Sequence, residues 1–154
     1  MTQLTGRCVC EELRYRLLVP PLFTQACHCL ECQRESGTAF TMATIVMRED
    51  LVITQGTTLE KQMSPRSTAH ACGNCGTLIY VASTRFPTTF RLRPGTLDDA
   101  SVATPQAHIW VKRKQPWLTL PADVPQFDEN CEIDSVWPAA SLARLRAGAS
   151  RHGA

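Results

Sequence analysis

The chain has 154 residues, enough for one domain with a hydrophobic core, and its 44% apolar and 19% charged content excludes an intrinsically disordered polymer. No apolar run approaches the roughly 18 residues of a membrane-spanning helix, so a membrane is not among the expected partners. The formal charge of +2 is too near neutral to imply a nucleic-acid partner, and cysteine thiolates held on metal ions would lower it further.

The stretch from Met1 to Arg7 has no hydrophobic signal core, so the chain is expected in the cytoplasm, where thiols stay reduced. Arg14 to Val19 reads as a strand closed by Pro20-Pro21. Ala39 to Arg48 alternates, with Phe40, Met42, Thr44 and Val46 on one face, and reads as another. Leu51 to Thr54 follows a charged turn and ends at Gln55-Gly56. Ser67 to Ala71 leads into a cysteine pair and Leu78 to Ala82 leaves it. Phe90 to Leu92 stops at Pro94-Gly95, and His108 to Val111 is a late strand. Short helical turns are expected after Cys32 and around Leu97-Asp98-Asp99. The pattern predicts a mainly β fold.

Beyond Glu129 the character changes. We divide the chain into a main domain over residues 1–130 and a tail over 131–154. In the tail, Trp137 to Ala147 is a helix candidate, with Ser135 as cap and Pro138 in the first turn. Trp137, Leu142 and Leu145 would cover an apolar patch on this chain or on a second subunit of a homodimer. The competing expectation is disorder, because so short a helix is marginal alone.

Eight cysteines in a reduced compartment call for a reason other than disulfides. Cys8-Val9-Cys10 is a C-x-C, Cys27-His28-Cys29-Leu30-Glu31-Cys32 is a C-x-C-x-x-C, and Cys72-Gly73-Asn74-Cys75-Gly76 is a C-x-x-C-G knuckle. Cys131 stands alone. In an extended chain residues i and i+2 point the same way, so C-x-C offers two sulfurs on one face, and a C-x-x-C turn converges two more. Gly73 and Gly76 are expected to relieve crowding where amides turn toward the thiolates. Soft thiolates select zinc or an iron–sulfur centre. A thioredoxin-like redox pair is disfavoured, since no βαβ pattern surrounds Cys72 and Cys75.

Two partitions are open. A zinc ribbon would join Cys29 and Cys32 to Cys72 and Cys75, leaving Cys8, Cys10 and Cys27 unexplained. Alternatively Cys8, Cys10, Cys72 and Cys75 close one site, and Cys27, Cys29 and Cys32 form a second with three ligands. The latter uses every clustered cysteine, and a three-ligand zinc keeps an open position, the mark of a catalytic site. Cys131 is too isolated to be favoured as its fourth ligand. His28, between two metal-facing cysteines, should face away and pack or hydrogen-bond.

Together with Gly6-Arg7, Ser36-Gly37, Gly95-Thr96-Leu97-Asp98, the stretch Pro105 to Trp117 (with His108 and Lys114) and Pro125-Gln126-Phe127, these motifs resemble the glutathione-dependent formaldehyde-activating enzyme family, whose domain is shared with centromere protein V. The resemblance runs from about Gly6 to Glu129. It implies a β-tent-like fold of coiled antiparallel sheets, a structural zinc at Cys8, Cys10, Cys72 and Cys75, and a catalytic zinc at Cys27, Cys29 and Cys32. It further implies a carbon–sulfur lyase acting on glutathione and a small aldehyde such as formaldehyde. Ala69-His70-Ala71 departs from the Arg and aromatic that the family often carries there, which touches substrate contacts rather than ligands.

Glutathione has two carboxylates, so cations are expected near the second site. Arg34, two residues past Cys32, is the nearest in sequence, and Arg66 and His70 precede the knuckle. Lys112-Arg113-Lys114 reads as a solvated strand end. The alternatives are a non-catalytic zinc-stabilised binding module or glutathione carrier, and a nucleic-acid or cytoskeletal adaptor. Against the adaptor, the tail has only Arg144, Arg146 and Arg151.

Overall fold

Short runs of buried and half-buried residues build two sheets in the computed structural model, which describes residues 4–152. Met1, Thr2 and Gln3, and the last two tail residues, lie outside the described residues. β1 (Leu4–Arg7), β2 (Arg14–Leu17) and β5 (Leu51–Gln55) form an antiparallel sheet in the order β1-β2-β5. The larger sheet contains β3 (Phe23–Cys27), β4 (Thr41–Met47), β6 (Thr58–Ser64), β7 (Ser67–Cys72), β8 (Leu78–Ser83), β9 (Thr89–Leu92) and β10 (Ala107–Ile109). Its order is β10-β3-β4-β9-β8-β7-β6, with every pairing antiparallel except β10 on β3. α1 (Leu30–Ser36) follows β3, and α2 (Ile133–Val136) and α3 (Ala139–His152) close the chain. This mainly β, largely antiparallel architecture with a C-terminal helix is the expected fold class. No helix among the described residues is long and apolar enough to cross a membrane.

Apolar side chains of both sheets meet in one core. Leu13, Tyr15 and Leu17 pack with Val46, Ile79, Tyr80, Leu92, Leu97 and Ala103, and Cys8 and Cys72 belong to the same cluster. Each fully buried Leu or Ile contributes about 1.5–3 kcal/mol. Gly6 makes room for one of these contacts. A Cβ there would lie 2.3 Å from the Tyr15 phenol and 2.5 Å from the Thr96 carbonyl, so only glycine lets Tyr15 Oη reach Thr96 Oγ1 at 2.8 Å.

Burial, relieved in part by the Thr96 bond and reinforced by Asp98, pushes the Tyr15 pKa up to about 12. Folding therefore favours the protonated phenol. That stability is present below the unfolded value near 10 and is lost as pH rises from there toward 12. We predict that unfolding free energy falls by roughly 2–3 kcal/mol over this window. Urea melts between pH 9 and 11.5 should show a fall in the parent chain that is smaller in Tyr15→Phe, the remainder coming from Tyr80, whose pKa burial also raises.

On the other face of β4, Leu22, Ala43, Ile45 and Met47 form a second cluster covered by Trp137 and Leu145. Trp137 stacks on Phe23 with centroids 5.1 Å apart. Ser141 Oγ donates to the Leu22 carbonyl at 2.6 Å, and Arg144 pairs with Asp50 at 2.9 Å. The tail is thus ordered, and its apolar face is spent on its own chain rather than on a second subunit. The helix starts later than expected. Ser135 lies within α2, its hydroxyl bonding the Glu132 carbonyl, and so does not cap α3; Pro138 precedes α3 and accepts from the Leu142 amide.

β1, β3 and β6 carry too weak an alternation to be read from sequence. β10 ends before Val111, because Trp110 adopts a left-handed φ of 58° and Val111–Arg113 forms a 3₁₀ turn. Around Leu97 to Asp99, the 3₁₀ turns are Pro94–Thr96 and Ala100–Ala103, on either side of the expected position.

Candidate metal centres

The first cysteine cluster joins the two sheets. Cys8 and Cys10 lie in the β1–β2 loop, which closes on itself through Cys8 N to Leu13 O at 3.1 Å and Glu11 N to Cys8 O at 3.1 Å. Glu11 holds a left-handed φ of 64° there, its carboxylate pairing with Arg7 and Arg14 at 2.9 Å each. Cys72 ends β7 and Cys75 sits in the turn to β8. That turn is closed by Gly76 N to Cys72 O and Cys72 N to Thr77 O, both 2.9 Å, and Gly76 takes a φ of +74° that other residues resist. The glycine amides are not thiolate donors, however. Gly73 N bonds the Thr57 carbonyl at 3.0 Å and Gly76 N bonds Cys72 O.

All four sulfurs lie within 4.8 Å of one another. Cys8 Sγ is 3.4 Å from Cys10 Sγ, which is 3.8 Å from Cys72 Sγ. Disulfide sulfurs sit about 2.05 Å apart, whereas four thiolates on a tetrahedral zinc at about 2.3 Å would be about 3.8 Å apart. The spacing matches the second, and all eight cysteines are unbridged. Donors already point at the sulfurs: Leu13 N at Cys8 (3.3 Å), Asn74 Nδ2 at Cys10 (3.4 Å) and Thr77 Oγ1 at Cys75 (3.0 Å). The Thr77 hydroxyl, with the Thr77 and Cys10 amides, brings the exposed Cys75 thiol down to about 5, which favours its thiolate. Such hydrogen bonds are the usual second layer around a metal-bound thiolate.

The second cluster is built at the opening of α1. Cys27 ends β3, Cys29 caps α1, and Cys32 lies in its first turn, its amide donating to Cys29 Sγ at 3.4 Å. The three sulfurs also lie within 4.8 Å of one another. The helix begins two residues before Cys32 rather than after it, because Cys29 supplies the cap. His28 points away from the sulfurs as expected. It is fully buried, with Nε2 3.0 Å from His108 Nδ1, and its amide donates to Ile109 O at 3.0 Å. Burial, then His108 and Lys114, bring His28 down to about 4, and burial lowers His108 as well.

Nothing in α1 is buried, so polar contacts hold it. Gln33 Nε2 donates to His28 O (2.7 Å) and Arg113 O (2.9 Å), and Gln115 donates to Gln33 Oε1 at 2.6 Å. Ser36 and Thr41 hydroxyls donate to Cys32 O at 2.8 and 2.9 Å. Glu35 pairs with Arg93, which also donates to Met42 O at 3.4 Å. Burial pushes the Cys29 thiol up, and the Cys27 sulfur together with burial pushes Cys32 up. A bound cation would invert that preference.

The fold therefore brings together Cys8, Cys10, Cys72 and Cys75, and separately Cys27, Cys29 and Cys32. It does not make the ribbon pairing of Cys29 and Cys32 with Cys72 and Cys75. Cys131 joins neither group among the described residues. Both groups fit metal ions. Arg34 is exposed in the last turn of α1. Arg66 lies at the far end of β7 from Cys72, and His70 is stacked on Tyr80 at 4.3 Å. Of the basic run, Lys112 pairs with Glu129, while Lys114 sits near enough to His28 to lower its basicity. The Glu35–Arg93 pair was missed by sequence reading. Glu35 follows Cys32 by three residues, the helical spacing that puts two side chains on one side.

A family model described as the glutathione-dependent formaldehyde-activating enzyme matches residues 3–113. A crystal structure of a Rhodobacter sphaeroides protein aligns with a TM-score of 0.51 at 17% identity, covering 79% of this chain and 98% of that one, a likeness of fold alone. Comparison with curated proteins finds no match.

Proposed function

The chain belongs to the glutathione-dependent formaldehyde-activating enzyme family, and from that premise we propose a zinc-dependent, carbon–sulfur lyase-type enzyme acting on the adduct of glutathione with a small aldehyde such as formaldehyde. The observation that carries this reading is the inequality of the two clusters: one offers four sulfurs, the other three. Four thiolates complete a structural zinc, whereas three leave room for a reactant. A zinc ion held by Cys27, Cys29 and Cys32 would supply a positive charge able to acidify a thiol or polarise an aldehyde oxygen.

In the synthetic direction a bond forms between the thiol sulfur and the aldehyde carbon, and the thiol proton ends on the former carbonyl oxygen. The lyase direction is the reverse. The chain's own part is placement. His28, fixed by His108 and the Ile109 carbonyl, holds the backbone between Cys27 and Cys29. Gln33, Ser36 and Thr41 fix the turn that carries Cys32. For the glutathione carboxylates we assign Arg34, exposed and without an ion partner among the described residues, and Lys114, whose ammonium bonds the Gln115 and Leu118 carbonyls and faces no carboxylate among those residues.

Metal counting per chain, beside the rate of glutathione–formaldehyde addition, tests the reading. The parent should hold two zinc ions. Cys29→Ala should hold one, keep its circular dichroism and lose the rate enhancement. The assignment fails if the variant keeps both ions or the parent's rate. Glutathione binding without rate enhancement in the parent would make the protein a carrier instead.

A further inference from the structure

At the end of the large sheet remote from both cysteine clusters, a groove of about 270 Å³ is lined by Arg48, Arg66, Thr68, Ala82, Ser83, Thr84 and Pro87. We propose that this groove binds the phosphoryl group of a small phosphate monoester.

The remoteness follows from strand direction. β7 starts at Ser67, beside Arg66, and ends at Cys72, a span of roughly 17 Å at about 3.3 Å per residue. β4 likewise runs from Thr41, whose hydroxyl bonds Cys32 O, to Met47, just before Arg48. A ligand in the groove would touch neither cluster.

The lining of the groove is basic, and the nearest carboxylate along its aromatic stack, Glu60, faces His70 at 3.7 Å rather than either arginine. No carboxylate lines it, and neither guanidinium has an ion-pair partner among the described residues. The acids nearest Arg48 in sequence are turned to α3: Asp50 pairs with Arg144 at 2.9 Å, and Glu49 pairs with Arg151. Arg7, Arg14, Arg93 and Arg146, by contrast, each face a carboxylate.

Arg48 and the turns that carry the lining are held in place. Arg48 lies over the Phe90 ring, 4.7 Å from its centroid, in a stack that continues through Tyr80 to His70. The turns that carry the lining are tied by Thr84 N to Arg66 O and Arg48 N to Thr88 O, both 3.0 Å.

The chemistry selects the ligand class. Two guanidinium forks on separate turns, with the Ser83 and Thr84 hydroxyls also in the lining, offer more donors than one carboxylate can accept. They match the three oxygens and the charge of about −1.5 to −2 of a phosphate monoester. Ala82 and Pro87 give the organic part an apolar wall.

The test is an amide NMR titration of the full, metal-loaded chain with inorganic phosphate and with glycerol phosphate, using acetate as control. The expected result is saturable binding at millimolar concentration or below, with shifts confined to residues 47–49, 65–69 and 82–88. Arg48→Gln and Arg66→Gln should each weaken it at least tenfold, and Arg16→Gln, an exposed arginine on β2, should leave it unchanged. Shifts spread over every basic surface, acetate binding as tightly as phosphate, or an affinity unaffected by both groove variants would each overturn the assignment. Arg66→Gln alters a surface turn, so folding loss at Arg48→Gln would not shield the proposal.

Discussion

Cys72→Ala is expected to bring the metal content from two ions to one and to lower the free energy of unfolding by at least about 3 kcal/mol, the lower end for an interior site that loses its bonding partners. The magnitude follows from where the residue sits. Cys72 is 2% exposed within the main core, and its sulfur lies 3.8 Å from Cys10, which comes from the other sheet's loop. An ion among these four sulfurs would therefore tie the two sheets together at one end of their shared core. Total stabilities of small domains are about 5–15 kcal/mol, so such a loss leaves a substantial unfolded fraction. Cys131→Ala is the control: half-buried and outside both clusters, it should change stability by less than about 1 kcal/mol and metal content not at all. A chelator strong enough to strip both ions should reproduce the Cys72→Ala melt in the parent chain. If Cys72→Ala keeps two ions and the parent's urea midpoint, the first centre is not a metal site.

Much of this was legible in the chain because ligand spacing is a local property. C-x-C and C-x-x-C runs fix which sulfurs share a face before any tertiary contact exists, so the grouping needed only the assumption that every clustered cysteine is used. The direction of His28 came from the same alternation. Strands with strong turn signals at their ends, such as β5, β8 and β9, appeared near their observed limits. What the sequence hid depends on partners distant in the chain. β4 was legible as a strand, but not its burial on both faces, between the main core and α3. β6 is an edge strand with mostly exposed side chains and no apolar pattern. The order of the tail was undecidable locally, since the helix depends on Phe23, Leu22 and Met47. The cation that acts electrostatically on the Cys32 sulfur is Arg93, sixty-one positions away and invisible to any local rule.

Arg93 leads to the second large effect. Its side chain is 16% exposed and that of its partner Glu35 is 20% exposed. Burial lowers the Arg93 pKa, and Glu35 opposes that fall. Glu35→Gln would leave a guanidinium in this half-dry position without its carboxylate, which costs about 3 kcal/mol. The cost should fall on α1 rather than on the whole fold. The helix buries none of its residues, and Leu30, its first, is 44% exposed. An element with no buried residue and many polar contacts opens locally at lower cost than the core unfolds. Because Cys29 and Cys32 ride on that element, the penalty should appear as metal affinity at the second centre, about a hundredfold weaker at 1.4 kcal/mol per factor of ten. The first centre and the global urea midpoint should stay near the parent's. Competition against a chromophoric chelator resolves the two ions and checks this directly. The double variant Glu35→Leu with Arg93→Met removes both charges, so it should recover most of the loss, because the orphaned charge is the source of the cost. An equal loss at both centres, or no recovery in the double variant, would show that the pair does not position Cys32.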